Sequence, residues 1–518
     1  MMSTHASLRR PPADLVGGEW VPLAPVSAGG GIESTNPARP GEVVWAGTPV
    51  GAHVERAIAA ARAALPAWSA WAVERRVAVL RKYQEIAKAR VAEVAELICD
   101  ETGKAMWDCK GEAGLLASKV DITLEPGEHS GMHRVGGFEF AMNETKRAAC
   151  LFRPHGVMAV VGPFNFPVHL PNGHIVPALA TGNVVVFKPS DKTPAVGQLL
   201  AEIFQEALEA EGAPAGVFNL VQGAAPSAKA LVAHAGVDGV LFTGSWQVGR
   251  AIMEANLDHP GKMIALEMGG NNAAVVMDDA DLRQAAIECA RCAFITTGQR
   301  CTCTRRLIVH EAAAGKVIGA VCKAASTMVV DDPRAETVFM GPLVTEQARA
   351  AVFAFQDRLA KTGGEVLVES TPVPGREGWY LTPSVVRVPG FSIDRDDCGC
   401  DEEVFGPVLR VSVVKSLDEA IEQANATRYG LAASIFTGSR ENIDRFLREA
   451  RAGCVNINCG TAGASSKLPF GGLGWSGNHR PAGAFSLDYC AYPVASMQES
   501  GEGAAVSPGM SFDDTWLA

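Results

Sequence analysis

The sequence predicts an α/β protein whose main sheet is parallel and covered by helices. Between residues 156 and 249, short apolar runs alternate with longer amphipathic segments. This alternation is typical of parallel strands that helices connect. The predicted strands are 157–161, 184–187, 217–221 and 239–242, and the predicted helices include 197–210 and 227–234.

Length and composition are those of a soluble globular protein of about three domains. The chain has 518 residues, of which 47% are hydrophobic and 20% charged, and its formal net charge is −11. An acidic balance argues against nucleic acid or an anionic membrane surface as a partner. The most apolar region, 157–187, is interrupted by prolines, glycines and polar residues, so no transmembrane helix is predicted.

Cysteine usage predicts free thiols in a reducing cytoplasm. The thirteen cysteines are an odd number, and Arg9 and Arg10 are followed by Pro11 and Pro12 where an export signal would become apolar. The close pairs 301/303 and 398/400 have C-x-C spacing, not the C-x-x-C of common zinc sites, so no metal is expected.

The flanking segments are predicted to be scaffold. Helices are expected over 53–65 and 74–101, and a hairpin between 138 and 152 with its turn near Asn143 and Glu144. Residues 1–17 and 501–518 are unpatterned and are expected to be flexible.

The segment 264–305 contains the candidate chemistry. Glu267 follows a predicted strand, 263–266, and Gly269 and Gly270 allow the backbone to approach another group closely. A helix over about 281–294 leads to a loop with Cys301 and Cys303. A thiolate can act as a nucleophile and a carboxylate as a base. The residues alone also allow Glu267 to be a surface group and both cysteines to be small core residues.

These motifs resemble those of a known family. The Glu267-x-Gly-Gly turn and the Gly-Gln-x-Cys301 loop are similar to the two active-site signatures of the aldehyde dehydrogenase superfamily, as are the segments 401–407 and 469–477. The resemblance covers about residues 18–500. Segments 171–174, 299–303 and 478–480 resemble the succinylglutamate semialdehyde dehydrogenase branch, whose members act in bacterial arginine breakdown.

The resemblance implies the family's fold and subunit organisation. It predicts a Rossmann-type NAD-binding domain over 18–137 and 155–265, an α/β catalytic domain over 266–460, and a small β oligomerisation segment over 138–154 and 485–500. In the family, the hairpin pairs with the C-terminal segment of another subunit, so a homodimer or a dimer of dimers is expected. An ordinary surface hairpin is the alternative.

It also implies roles for three residues. Cys301 would attack the aldehyde, and Asn165 with the Cys301 backbone N–H would stabilise the resulting alkoxide, a contribution of about 3 kcal/mol. Hydride transfer to NAD would leave a thioester, which water activated by Glu267 would hydrolyse. Pro481 stands where many members have a glutamate, so Glu267 is the main candidate base. Without the resemblance, Asn165 would be a turn residue.

The cofactor site implied by the resemblance favours NAD over NADP. Asp191 would hold the adenosine ribose and repel a 2′-phosphate, although Lys192 beside it weakens this preference for NAD over NADP. The pyrophosphate would lie at the turn that opens the helix after strand 239–242. The implied cofactor residues are Lys188, Ser190, Asp191, Phe242, Thr243, Gly244, Ser245, Gly249, Glu403 and Phe405.

The implied substrate is N-succinyl-L-glutamate 5-semialdehyde, which carries two carboxylates. Basic groups near the implied tunnel are the candidates for binding them: Arg300, His169, Lys467, His479 and Arg480. Three alternatives remain open at this point. They are a dehydrogenase of another anionic semialdehyde, a CoA-acylating enzyme, and a catalytically silent NAD-binding protein.

Overall fold

The computed structural model describes residues 8–26, 30–125, 131–394, 398–500 and 506–518. The α-helices in this part are α1 (Gly51–Ala70), α2 (Val73–Ala89), α3 (Val91–Thr102), α4 (Met106–Leu124), α5 (His169–Ala180), α6 (Pro194–Ala210), α7 (Ala225–Ala233), α8 (Trp246–Glu254), α9 (Leu282–Phe294), α10 (Glu311–Thr327), α11 (Glu346–Lys361), α12 (Leu417–Ala424) and α13 (Arg440–Glu449).

The strands in the same part of the chain are β1 (Ala13–Val16), β2 (Glu19–Pro22), β3 (Ile32–Asn36), β4 (Arg39–Gly47), β5 (Phe138–Ala141), β6 (Lys146–Pro154), β7 (Val157–Val161), β8 (Val184–Lys188), β9 (Phe218–Leu220), β10 (Gly239–Gly244), β11 (Met263–Met268), β12 (Asn272–Val276), β13 (Thr304–His310), β14 (Glu365–Val368), β15 (Ser384–Arg387), β16 (Val408–Val414), β17 (Ala432–Phe436), β18 (Cys454–Ile457), β19 (Pro469–Phe470), β20 (Ala482–Gly483) and β21 (Ala491–Glu499).

The first large sheet has the strand order β11-β10-β7-β8-β9-β1-β2. Strands β7 to β11 are parallel, and β1 and β2 add an antiparallel edge. Every residue of β7 and β8 is buried, as expected for parallel strands with both faces covered. Helices α1 and α5 pack against these two strands. The predicted strand–helix alternation is therefore confirmed.

The second large sheet has the order β14-β15-β16-β13-β12-β17-β18. Its strands are parallel except for β14, which pairs antiparallel with β15 at the edge. Only the turn at residues 269–271 separates β11 of the first sheet from β12 of the second. The segment that contains the candidate chemistry therefore connects the two sheets.

A smaller sheet has the order β21-β6-β5. The predicted hairpin is present as β5 and β6, and β6 pairs antiparallel with β21 of the same chain over nine residues. The expected pairing with another subunit's C-terminal segment is therefore wrong for this strand edge. The two nine-residue strands satisfy each other's backbone groups within one chain.

Two expectations for the N-terminal region are wrong. Residues 1–17 were expected to be flexible, yet Ala13–Val16 is a buried strand in which Asp14 lies 2.7 Å from Nδ1 of His53. The single helix expected over 74–101 is divided into α2 and α3 at Arg90, whose φ of −101° and ψ of 13° end α2. The Arg90 side chain is held there by Glu93 and Glu202.

The structure describes only part of the two termini that were predicted to be flexible. Residues 1–7 and 501–505, predicted to be flexible, lie outside the described residues, and residues 506–518 are exposed.

Across the described ranges, none of the helices combines the length and the apolar character needed to cross a bilayer.

Candidate active site

The carboxyl ends of four parallel strands meet at one edge of the first sheet. Strands β7, β8, β10 and β11 end there, and ligand sites of open parallel sheets are found beyond such ends. A cleft of about 460 Å³ opens at this edge. We call it the main cleft; its lining includes Asn165, Thr243, Glu267, Cys301, Glu403 and Phe405. The three predicted catalytic residues are therefore brought to one cavity from different parts of the chain.

Backbone contacts fix the loop that carries Cys301. The side-chain amide of Asn272 donates to the carbonyl oxygens of Cys301 at 2.7 Å and Cys303 at 2.8 Å. Its Oδ1 accepts from the N–H of Ala432 at 2.9 Å. One asparagine at the start of β12 thus ties the loop to the second sheet.

Backbone strain precedes this loop. Thr296 and Thr297 both have a φ of 55°, a left-handed conformation that is unfavourable for β-branched residues. Their hydroxyl groups are held: Thr296 Oγ1 donates to Asp108 at 2.5 Å, and Thr297 Oγ1 donates to the carbonyl of Gly341 at 2.9 Å. Strain held by surrounding contacts is a common feature of segments that position a reactive group.

Arg300 is part of this support. Its guanidinium group donates to Asp108 Oδ1 at 2.8 Å and to Thr296 Oγ1 at 2.7 Å, and it lies over the ring of Phe166. It does not belong to the lining of the main cleft. The Arg300 guanidinium group therefore connects the nucleophile loop to Asp108 on α4, and its predicted contact with the substrate stays a prediction.

Asn165 lies beyond the end of β7 and is buried. Its Nδ2 donates to the carbonyl of Gln299, two residues before Cys301, at 2.9 Å. Gln299 is itself fixed, because its Oε1 accepts from the N–H of Val344 at 3.1 Å. An amide with two donors can use one to hold its orientation and the other to bind a developing oxyanion.

Glu267 is a buried carboxyl group with an unused oxygen. It is 5% exposed, and among the described residues its Oε2 has no hydrogen-bond partner. Burial raises the pKa of Glu267 well above its usual value, and a backbone hydrogen bond from Ala482 only partly offsets this. A carboxyl group that is neither ion-paired nor fully solvated is suited to take a proton from water.

The Cys301 thiol is held in its neutral form. Burial raises its pKa, and the nearby carboxyl groups of Glu403 and Glu267 raise it further because they disfavour a second negative charge. Nucleophilic attack therefore requires removal of the thiol proton as the substrate binds.

The turn between the two sheets requires glycine. A Cβ at Gly269 would lie 1.6 Å from Oε2 of Glu403, and a Cβ at Gly270 would lie 2.7 Å from the carbonyl oxygen of Cys301. Oε1 of Glu403 accepts from the N–H of Gly270 at 2.9 Å. Burial raises the pKa of Glu403 to about 7, although nearby Arg305 lowers it. The glycines thus let Glu403 reach the floor of the main cleft.

The turn after β10 forms one wall of the main cleft. Ser245 caps α8, its Oγ accepting from the N–H of Val248 at 3.4 Å, and residues 242–245 all line the cleft. Gly249 lies behind this wall, where a Cβ would lie 2.3 Å from the sulfur of Met268. Free N–H groups in the first turn of a helix favour an anionic group such as a pyrophosphate.

The predicted ribose-binding residues lie at the end of β8. Ser190 lines the main cleft. The buried Lys188 donates to the carbonyl of Pro189 at 2.7 Å, and burial lowers its pKa to about 8. Asp191 is paired with Lys192 at 3.3 Å. Phe405 also lines the cleft and packs edge-on against Phe164 with a centroid distance of 5.9 Å.

The other predicted substrate residues are dispersed. His169 lines a separate cavity beside Glu267. Lys467 is exposed and adjoins Ser466, which lines the same cavity. His479, with a φ of 61°, and Arg480 are exposed and line an outer pocket of about 260 Å³ that also reaches Glu267.

Sequence reasoning missed several lining residues. Gln247 and Val248 line the main cleft, and their position in the first turn of α8 could have indicated them. Tyr429 also lines it, with no signal in its own segment. Lys119 and His174 line the cavity beside Glu267. Neither of their helices was predicted, although His174 lies in the segment 171–174 that resembles the succinylglutamate branch.

Comparison with known proteins agrees with this geometry. A family model described as "Aldehyde dehydrogenase family" matches residues 25–493. The chain belongs to the aldehyde dehydrogenase family. N-succinylglutamate 5-semialdehyde dehydrogenase 2 of Caulobacter vibrioides is 47% identical to it over 477 residues, which are 91% of this chain and 94% of that protein. The N-succinylglutamate 5-semialdehyde dehydrogenase of Sphingopyxis alaskensis is 44% identical over 473 residues, covering 91% and 95%.

Solved structures of aldehyde dehydrogenase type are similar over most of the chain. HpcC from Thermus thermophilus has a TM-score of 0.88 at 30% identity, covering 97% of this chain and 96% of that one. PnpE in complex with nicotinamide adenine dinucleotide has a TM-score of 0.87 at 30% identity, covering 96% and 99%. The predicted aldehyde dehydrogenase fold is confirmed.

Proposed function

We propose that this aldehyde dehydrogenase oxidises N-succinyl-L-glutamate 5-semialdehyde to N-succinyl-L-glutamate with NAD, as a step of arginine catabolism. The observation that carries the proposal is the convergence of Cys301, Asn165 and Glu267 on the main cleft, in a chain 44% to 47% identical to relatives with that named activity.

Each of the three residues has a distinct task. The Cys301 thiol releases its proton to solvent, and its sulfur forms a bond to the aldehyde carbon as the C=O π bond breaks and leaves the negative charge on oxygen. The free N–H of the Asn165 amide binds the oxygen that becomes negative. After oxidation, the acyl group remains on Cys301 as a thioester. Glu267 then takes a proton from water, whose oxygen displaces the sulfur and releases the acid.

The residues around the main cleft fit NAD, which supplies the acceptor for the hydride when bound. The first turn of α8 would hold the pyrophosphate, with Phe242, Thr243, Gly244 and Ser245 in the wall and Gly249 behind it. Lys188, Ser190 and Asp191 would hold the adenosine ribose, and Glu403 the nicotinamide ribose, with Phe405 against the nicotinamide. The NAD-bound PnpE and the NAD-bound 1-pyrroline-5-carboxylate dehydrogenase from Thermus, at 29% identity and a TM-score of 0.85, support this assignment.

We also propose the domain division and assembly expected from the sequence: residues 18–137 and 155–265 bind NAD, 266–460 are catalytic, and 138–154 with 485–500 mediate self-association. The sheet β21-β6-β5 supports the last role, because it exposes large apolar side chains that a second subunit could cover. They are Phe138, Phe140, Leu151, Tyr492 and Met497. A cytoplasmic location is supported by the cysteines of the described residues, none of which forms a disulfide bond.

An NADH-coupled assay tests the proposed activity. N-succinylglutamate 5-semialdehyde should have a kcat/KM about 100-fold or more above that of propanal, since a site built for carboxylates discriminates against a substrate without them. The product should be the free acid with or without CoA. Equal kcat/KM values, or a CoA thioester as product, would contradict the proposal.

A further inference from the structure

A small cavity adjoins the main cleft on the far side of Glu267. Its volume is about 100 Å³, enough for the end of a small molecule, and we call it the side cavity. Leu170, Thr243, Glu267 and Phe470 line both cavities. The two cavities are therefore adjacent, and a substrate whose aldehyde lies at Cys301 in the main cleft has the side cavity next to it.

A buried lysine lines the side cavity. Lys119, on α4, is 3% exposed, and its Nζ donates to the carbonyl of Gly483 at 2.7 Å and to the hydroxyl of Ser486 at 3.3 Å. An ammonium group has three donors, so one remains. Within the described part of the chain, no acidic side chain forms a salt bridge with it. A buried cation without an anionic partner is costly, and burial accordingly lowers the pKa of Lys119 to about 8. A bound anion would offset that cost.

Two histidines extend this polar wall. Nδ1 of His169 is buried and has no hydrogen-bond partner among the described residues. His174 is satisfied at both nitrogens, by the hydroxyl of Tyr489 at 2.8 Å and that of Thr243 at 3.2 Å. Burial, reinforced by nearby Lys119, lowers the pKa of His169 to about 4 and that of His174 to about 3. Both rings are thus neutral at pH 7, and His169 has a free donor or acceptor position.

The charge of the side cavity is positive overall. Lys119 supplies the positive charge, the histidines are neutral, and burial favours the uncharged acid form of Glu267. Ser465 and Ser466 line the same cavity and add hydroxyl donors. A buried cation, a free imidazole nitrogen and hydroxyl groups form a set that matches a carboxylate.

We propose that Lys119, with His169, is the carboxylate-binding subsite for the substrate. This assignment rests on the proposed function, because it takes the substrate to be an anionic semialdehyde. Lys119 sets specificity for charge and takes no part in the chemical step at Cys301.

The test compares three aldehydes with the purified, full-length enzyme. N-succinylglutamate 5-semialdehyde has an α-carboxylate and a terminal carboxylate, N-acetylglutamate 5-semialdehyde has only the α-carboxylate, and propanal has neither. Lys119→Met should lower kcat/KM for the succinylated substrate about 100-fold, mainly by raising KM, because a buried charge pair is lost. Activity with propanal should change little.

The N-acetylated substrate assigns the carboxylate that is bound. If Lys119→Met lowers kcat/KM for the N-acetylated substrate as much as for the succinylated one, Lys119 holds the α-carboxylate. If kcat/KM for the N-acetylated substrate is unchanged, Lys119 holds the terminal carboxylate. Lys119→Arg should restore part of the affinity because it restores the charge. Lys110→Met is the matched control, since it removes an exposed lysine from the same helix and should alter none of the three substrates.

Three outcomes would overturn the proposal. The first is that Lys119→Met lowers kcat/KM for propanal as much as for the anionic substrates. The second is that Lys119→Met leaves the KM of both anionic substrates unchanged. The third is that Lys119→Arg has no higher affinity for them than Lys119→Met. If Lys119→Met does not fold, His169→Leu provides the same comparison, with an expected loss of about 10-fold for the anionic substrates only. If the wild type does not oxidise N-succinylglutamate 5-semialdehyde, the proposed function fails, and succinic semialdehyde against propanal still tests the role of Lys119.

Discussion

The side-chain amide of Asn272 donates to the backbone carbonyl of Cys301 at 2.7 Å and so fixes the nucleophile loop to the second sheet. We predict that Asn272→Ala lowers kcat about 100-fold, because a displacement of the sulfur of about 1 Å can cost that much. The KM for NAD should change little, since Asn272 is not part of the main cleft's lining. Steady-state kinetics measure both values.

Asn272→Asp provides the control for this effect. It conserves the side-chain shape but replaces a donor by an acceptor that faces two carbonyl oxygens, so its kcat should be at least as low as that of Asn272→Ala. A wild-type kcat in either variant would show that the amide does not position Cys301.

The unpartnered oxygen of Glu267 leads to a pH prediction. Because burial raises the pKa of Glu267, the group is mainly protonated below that pKa, and the basic form increases about tenfold with each pH unit. Thioester hydrolysis should therefore accelerate as pH rises. Glu267→Gln should lower the steady-state rate by about 10²- to 10⁴-fold while retaining a first-turnover burst of NADH.

The control is the pH dependence of the steady-state rate of Glu267→Gln. This rate should not increase with pH as it does in the wild type. Stopped-flow measurement of NADH gives both the burst and the steady state. A burst that disappears together with the steady state would mean that Glu267 acts before the thioester forms.

The sequence pattern places the three proposed catalytic residues next to patterned elements, whereas their roles were predicted from the resemblance to the family. The strand Val157–Val161, which precedes Asn165, is uniformly apolar and ends at a glycine, so its bounds were predicted correctly. The side cavity could not be predicted. Lys119 lies in a helix whose buried face also contains Asp108 and Glu112, and periodicity alone treats such charges as solvated.

The same limit explains the missed strand Ala13–Val16. The segment was expected to be flexible because it is unpatterned, whereas Asp14 is held in the folded protein by His53, which lies 39 residues further on and within hydrogen-bond distance. Similarly, Arg300 was expected to bind substrate because it adjoins Cys301, but its partner Asp108 is 192 residues away in sequence. Pairings between distant residues decide which charges are available to a ligand.

Asp191 is the basis of a cofactor prediction. Its carboxylate is expected to repel the 2′-phosphate of NADP, although Lys192 lies 3.3 Å from it. Asp191→Ser should shift the ratio of kcat/KM values toward NADP by about tenfold, equivalent to about 1.4 kcal/mol. Lys192→Ala, which leaves the carboxylate without its cation, should shift the ratio the other way. An unchanged ratio in both variants would remove Asp191 from cofactor selection.

A buried ion pair beside the site leads to a stability prediction. Nζ of Lys104 lies 2.6 Å from Oε2 of Glu112, and both side chains are almost fully buried. Oε1 of Glu112 also accepts from the N–H groups of Val168 and His169 at the start of α5. Glu112→Ala should lower the free energy of unfolding by about 3–5 kcal/mol, because Lys104 would remain buried and unpaired.

The control for this prediction is the exposed pair of Lys82 and Glu85, whose charged atoms are 3.1 Å apart. Glu85→Ala should change the free energy of unfolding by no more than about 0.5 kcal/mol. Urea unfolding of both variants measures the difference, and similar values would show that burial adds nothing to the Lys104–Glu112 pair.

Mass spectrometry of the acyl-enzyme tests the central claim most directly. Glu267→Gln would be mixed with NAD and N-succinylglutamate 5-semialdehyde, quenched in acid during turnover and digested. We predict that the peptide containing Cys301 carries the mass of the N-succinylglutamyl group, and that Cys301→Ala abolishes this adduct. An adduct on another cysteine, such as Cys303, or NADH formation by Cys301→Ala at the wild-type rate would contradict the account.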